Sequence, residues 1–177
     1  MKRLLVILAV VAVGAAVAAG QSQVEKPTVP GIKNFAQVKT TVACAGAVTP
    51  ESVAAIKKMG YASIINLRLA NEQGADIDGE AAAAKAAGIN FVYLPFNGAM
   101  PDPAVADRFI QTITQAENVP AFIHCASGNR AAAMWLIKRV LIDKWDNDRA
   151  SEEATQLGLT SSALKTFALD YIQAHKK

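Results

Sequence analysis

Cysteine and histidine are both scarce: the chain holds Cys44 and Cys125, and His124 and His175. Two thiols cannot close a structural zinc cage alone, and of the two imidazoles that could help them His175 lies in a charged tail, so neither a metal nor a cofactor is expected. Aromatic residues make up only 6% of the chain. Trp135 and Trp145 have no aromatic neighbours in sequence that would form a stacking platform, and they read as packing residues. Neither sign of charge dominates, with 18 Lys and Arg against 15 Asp and Glu. A chain without a basic stripe has no electrostatic reason to bind nucleic acid, and that class of partner is set aside. Long apolar runs are also missing, apart from Leu4 to Ala19 at the amino terminus, which falls short of the roughly 20 residues that a spanning helix needs.

That run follows Lys2 and Arg3 and gives way to the polar Gln21, Ser22 and Gln23, an order that reads as a secretory signal peptide over residues 1–20. Small residues at Ala16, Ala18 and Gly20 offer cleavage sites. Removal would take away two cations and no acid, lowering the formal net charge from +3 to +1, and the expected location is periplasmic or secreted. Before cleavage the signal would be the only contact with a membrane. Residues 21–33, polar and proline-containing, read as a linker, and residues 34–177 as one domain.

Within the domain the same grammar recurs. Thr49-Pro50 opens a helix that ends at Gly60, and a strand follows at Ser63 to Leu67. Glu80 to Ala87 is a helix stopped by Gly88, and Asn90 to Leu94 is the next strand. Asp102-Pro103 starts a helix whose Val105, Phe109, Ile110 and Ile113 share a face. Ala121 to His124 is a short apolar strand, Arg130 to Ile142 a helix apolar nearly all round, and Ser151 to Leu157 and Ser161 to Ala174 are the last helices. Alternating strands and helices predict an α/β fold, with a central, mainly parallel sheet of about four strands flanked by helices. Strands joined by right-handed crossovers all end at one edge of such a sheet, where ligands bind.

The chemistry concentrates at that edge in His124-Cys125-Ala126-Ser127-Gly128-Asn129-Arg130. Cys125 stands where the strand hands over to the buried helix. Gly128 has the backbone freedom to let the N–H groups of Ala126, Ser127, Gly128 and Asn129 converge on an anion, and the helix dipole adds to the attraction. The same field, with His124 and Arg130 nearby, favours the thiolate, which is the nucleophilic form. Arg130 carries a planar fork of donors suited to two oxygens of a phosphate. Nucleophile and charge stabiliser thus share one loop.

Strand, His-Cys-x-x-Gly-x-Arg, then buried helix resembles the signature of the protein tyrosine phosphatases. The closer resemblance is to the bacterial beta-lactamase-hydrolase-like, phosphatase-like proteins. It covers Phe35 to Gly158, with Thr49-Pro50-Glu51, Ile65-Asn66-Leu67-Arg68 and His124 to Arg130 as matching stretches. It implies a protein tyrosine phosphatase-like fold, Cys125 as nucleophile, Arg130 as phosphate clamp and His124 as the neighbour of the thiolate. It also places Asn66 and Arg68 near the pocket, and makes a phosphorylated small molecule or protein the substrate. Two features depart from the common tyrosine phosphatase pattern. Four residues rather than five separate Cys125 from Arg130, which predicts a tighter pocket, and Ala131 stands where a hydroxyl residue usually follows the arginine. Ser127 is the hydroxyl within the loop. The family's proton donor would fall near Asn97, which carries no acid, so Asp102 is the candidate general acid, with an N-cap as its competing role and Asp76 and Asp78 as alternatives.

Two rival functions remain at this point. A rhodanese-type sulfurtransferase has a loop of this length, and Asn66-Leu67-Arg68 with Glu72 is similar to one of its stretches, although its Gly-His-Ile-x-Gly-Ala segment is absent. A non-catalytic anion-binding module would keep the loop without turnover. Cys44 is expected to be a core residue, and it is the one partner available for a reversible disulfide with Cys125.

Overall fold

A computed structural model describes residues 24–39 and 41–176; the signal-peptide reading of residues 1–20 lies outside them. The central sheet has the strand order β1-β2-β3-β6-β4-β5. The strands are β1 (Val24–Glu25), β2 (Ala36–Val38), β3 (Val42–Ala45), β4 (Ser63–Asn66), β5 (Asn90–Tyr93) and β6 (Ala121–His124). The expected four-stranded parallel sheet is the β3-β6-β4-β5 part, and β1 and β2 extend it antiparallel at one edge. Over residues 24–33 the structure departs from the expected linker, while residues 21–23 lie outside the described residues. Val24 and Glu25 pair with Val38 and Gln37, Ile32 bridges Val48, and Ile32 and Phe35 are buried, so the described fold already begins at Val24.

The helices are α1 (Val53–Lys58), α2 (Ile77–Ala87), α3 (Pro103–Ile113), α4 (Asn129–Leu141), α5 (Asn147–Gln156) and α6 (Ser162–His175). The starts of α2, α3, α5 and α6 follow side-chain caps, each satisfying an amide that has no partner in the first turn. Asp76 accepts from Gly79, Asp102 from Ala104, Asp146 from Arg149 and Ser161 from Leu164. Two starts therefore lie earlier than expected, Ile77 rather than Glu80 and Asn147 rather than Ser151. Thr49 makes no side-chain cap, and Pro50–Ser52 is a 3-10 turn leading into α1.

One face of the sheet is covered by α1 and α2, around Ala43, Ala45, Ile64 and Phe122. The other is covered by α3 to α6, around Cys44, Ile65, Ile123 and Cys125. Ten of the thirteen residues of α4 are buried, because α3, α5 and α6 all pack against it. A helix enclosed on every side accounts for its nearly continuous apolar sequence. β6, from which α4 emerges, lies between β3 and β4 in the middle of the parallel strands.

Candidate active site

The loop from Cys125 to Gly128 is shaped by what holds its carbonyl side. The Ala126 carbonyl accepts from the amide of Ala47 at 3.2 Å. The Ser127 carbonyl accepts from Asn34 Nδ2 at 3.0 Å. The peptide whose carbonyl is held by Asn34 carries the Gly128 amide on its other side, and that amide turns toward Cys125. Gly128 adopts φ 101°, a left-handed conformation that favours glycine, and its N–H donates to Cys125 Sγ at 3.2 Å. Gly46 lets β3 approach this loop, since a Cβ there would stand 3.0 Å from the carbonyl oxygens of Ala126 and Lys33.

Arg130, the first buried side chain of α4, is held by one hydrogen-bonding end. Nη1 donates to the carbonyls of Leu67 (3.0 Å) and Phe96 (2.9 Å) and to Glu72 Oε1 (2.6 Å), while Nη2 donates to Glu72 Oε2 (2.8 Å). None of these bonds uses Nε. This bidentate pairing fixes the plane of the guanidinium and is stronger than two neutral hydrogen bonds. Burial pushes the Glu72 carboxyl up, but hydrogen bonds from Arg130 and the Leu69 amide, together with the Arg130 charge, outweigh it and bring the group down to about 2. Burial likewise works against the Arg130 cation, yet Glu72 and the neighbouring Cys125 raise its pKa overall. Gly98 lies across the same side chain, where a Cβ would be 3.4 Å from Arg130 Cγ and Cδ.

The structure gives the other expected site residues distinct places. Arg68 is buried and occupied with its own loop, donating to the carbonyls of Gln73 and Gly74 and lying 3.4 Å from Glu72. It buttresses the Arg130 partner instead of reaching for an anion itself. Asn66 is also fully buried, and its amide bonds Glu80 and the Arg68 backbone, which makes it a scaffold residue. His124 alternates with Cys125 along β6, so its ring lies on the α1–α2 face, next to Phe122 and Glu80, while Cys125 belongs to the opposite face. The strand backbone therefore lies between the His124 ring and the sulfur.

Asn129 Oδ1 accepts from the amides of Thr160 and Ser161, both at 2.7 Å, and so ties the α5–α6 turn to the loop. Ser127 is exposed, with its hydroxyl 3.5 Å from Asn129 Nδ2. Asp102 caps α3 through Oδ1, 2.9 Å from the Ala104 amide. Asp76 performs the same task for α2, and Asp78 lies in the first turn of that helix. Cys44 and Cys125 are both free and buried. Cys44 is in register with Ile123, so Cys125 lies two residues farther along the adjacent strand. Strand spacings put such a diagonal at about 8 Å between Cα atoms, beyond the roughly 7 Å limit of a disulfide. Burial, followed by the charge of Cys125, pushes the Cys44 thiol well up.

Glu72, Glu80 and Asn34 are the site residues that sequence reasoning left without a role. Glu72 is 58 positions from Arg130, and no local pattern signals that pairing. Beside the loop runs an open groove of about 670 Å³, with Lys26, Asn34, Ser127, Asn129 and Thr160 among its lining residues.

A parallel sheet with a cysteine-to-arginine loop between its central strand and a buried helix defines the protein tyrosine phosphatase-like class. Within it, the chain belongs to the family described as beta-lactamase hydrolase-like protein, phosphatase-like domain, whose model matches residues 34–142. A beta-lactamase hydrolase-like protein of Xylella fastidiosa strain Temecula1 is 32% identical over 93 residues, 51% of this chain and 21% of the relative. One from Agrobacterium fabrum is 32% identical over 88 residues, 49% of this chain and 20% of the relative. The chain thus spans about a fifth of the length of the curated relatives it matches. Among solved structures, a putative phosphatase from Shewanella putrefaciens CN-32 superposes with a TM-score of 0.68 at 19% identity, covering 81% of this chain and 89% of that one. Pseudomonas aeruginosa TpbA superposes with a TM-score of 0.63 at 20% identity, covering 85% and 89%. At these identities the likeness is one of fold.

Proposed function

We propose that the protein is an exported cysteine-dependent phosphatase that hydrolyses phosphate monoesters through a phosphocysteine intermediate, with aryl esters such as phosphotyrosine within its range. The observation that carries this reading is the pairing of Glu72 with the Nη end of Arg130. It presents the guanidinium beside Cys125 with Nε outside all four bonds to Leu67, Phe96 and Glu72. A fork already fixed in orientation loses little freedom when it takes two phosphate oxygens. A phosphotyrosine complex of a cysteine-to-serine TpbA variant, on the same fold, supports the aryl ester as substrate. Export rests on the character of residues 1–20.

In this mechanism the nonbridging phosphate oxygens settle among the loop amides and Arg130, and the Cys125 thiolate attacks phosphorus. A sulfur–phosphorus bond forms as the ester oxygen–phosphorus bond breaks, and the departing oxygen takes a proton. Asp102 is assigned as the donor, being the one carboxyl group on the segment from Pro95 to Asp102 that passes over Arg130. Water then attacks phosphorus, releasing inorganic phosphate and restoring the thiolate. Cys125 is fully buried, so an entering phosphoryl group requires movement of its cover.

The test uses p-nitrophenyl phosphate and, separately, thiosulfate with cyanide. Cys125→Ser should abolish phosphate release while leaving the binding of inorganic phosphate within about threefold, because the amides and Arg130 remain. Arg130→Ala should weaken binding and turnover together. Sulfur transfer without phosphate release would replace this reading with sulfurtransferase chemistry, and phosphate binding without either activity would make the loop a binding module.

A further inference from the structure

Beneath the catalytic loop, on the face of the sheet away from Cys125, three polar side chains meet in the core. His124 and Asn66 are register partners on β6 and β4, so their side chains emerge side by side. Glu80 reaches them from α2. Its Oε2 accepts from Asn66 Nδ2 at 2.9 Å and lies 3.0 Å from His124 Nε2. Asn66 cannot turn its amide over without loss, because Oδ1 accepts the Arg68 N–H at 2.8 Å. All three side chains are fully enclosed. The His124–Glu80 contact is close enough for an ion pair but is not aligned as a hydrogen bond. Glu80 Oε1 and both ring nitrogens of His124 are the buried side-chain polar atoms without a hydrogen-bond partner among the described residues.

A carboxyl group and an imidazole in an otherwise apolar layer are costly to bury, and apolar side chains of similar size would pack there without that penalty. Their position suggests what offsets the cost. The carbonyl of His124 accepts from the Leu67 amide at 2.9 Å, and the next amide, that of Cys125, donates to Ala45 at 3.1 Å. The imidazole is thus the side-chain handle on the backbone that launches the nucleophile, and Glu80 is the group that holds this handle.

We propose that Glu80 is a positioning residue of the reaction: through its contact with His124 Nε2 it fixes the imidazole under the loop and thereby the direction of Cys125 Sγ. This rests on Cys125 being the nucleophile, and the experiment keeps the two ideas apart. Three properties are compared in wild type and Glu80→Gln: imidazole ¹⁵N shifts, the rate of Cys125 alkylation by iodoacetamide, and p-nitrophenyl phosphate kinetics. His124→Asn identifies the His124 signals. The expected result is a changed His124 Nε2 shift, alkylation altered by at least about fivefold, and kcat reduced by about 10- to 100-fold with KM within threefold.

An unchanged alkylation rate and an unchanged kcat in a folded Glu80→Gln protein would overturn the proposal and leave Glu80 a packing residue. A changed melting temperature as the sole effect would do the same. Were the wild type inactive toward phosphate esters, the phosphatase reading would fail, and the shift and alkylation measurements would still decide the role of Glu80. Glu80→Leu adds a volume-matched variant, which should lose activity at least as far as Glu80→Gln.

Discussion

Replacing Glu72 with Gln removes one negative charge from the Arg130 pair while keeping the shape of the side chain. The carboxyl lies at about 2 in the fold against an ordinary 4.5. A shift of that size corresponds to roughly 3 kcal/mol of preference for the charged form. About a fifth of the side chain remains exposed, and solvent screening reduces the usable part to about 2 kcal/mol. Because the folded-state value is depressed, this contribution is complete above pH 4.5 and disappears as pH falls from 4.5 toward 2. Urea unfolding of wild type and Glu72→Gln should therefore differ by about 2 kcal/mol at pH 7, with the gap shrinking by more than half at pH 3. Activity should fall as well, by about tenfold in kcat/KM, since an amide cannot hold the fork as tightly. A stability gap below about 0.5 kcal/mol at pH 7, or one equally large at pH 3, would refute the claim that Glu72 orients Arg130 as an ionised partner.

Asp102→Asn separates the two roles of that residue, because Asn caps a helix about as well as Asp. Stability should stay within about 0.5 kcal/mol while hydrolysis of an ester with a poor leaving group drops by at least about tenfold, and unchanged hydrolysis would leave Asp102 a cap alone. Gly128→Ala should lower stability by roughly 1–2 kcal/mol, purely through its left-handed backbone, since the nearest atom to an added Cβ is 3.7 Å away. Thermal unfolding with and without phosphate checks this, and a neutral Gly128→Ala variant would mean that the loop reaches its shape by another route.

The local signals in this chain were sufficient for much of its architecture. Gly88 after an Ala-rich run, Asp102 before Pro103, and Ser161 at the start of α6 mark helix ends through chemistry confined to a few adjacent residues. The order strand, Cys125, Gly128, Arg130, buried helix was readable for the same reason: strand, loop and helix start are contiguous in sequence. Short strands with little pattern were harder. β1 has two residues and β2 three, so their pairing depends on partners supplied by the folded sheet. The tertiary structure alone decided that Arg68 and Asn66 support the site and that Glu72 orients Arg130. It also set His124 on the face opposite Cys125, over Glu80. Those arrangements join β4, α2, β6 and α4 across separations of up to 58 residues. Sequence names the groups able to carry charge, but only packing determines which opposite charge or backbone carbonyl stands within 3 Å of each.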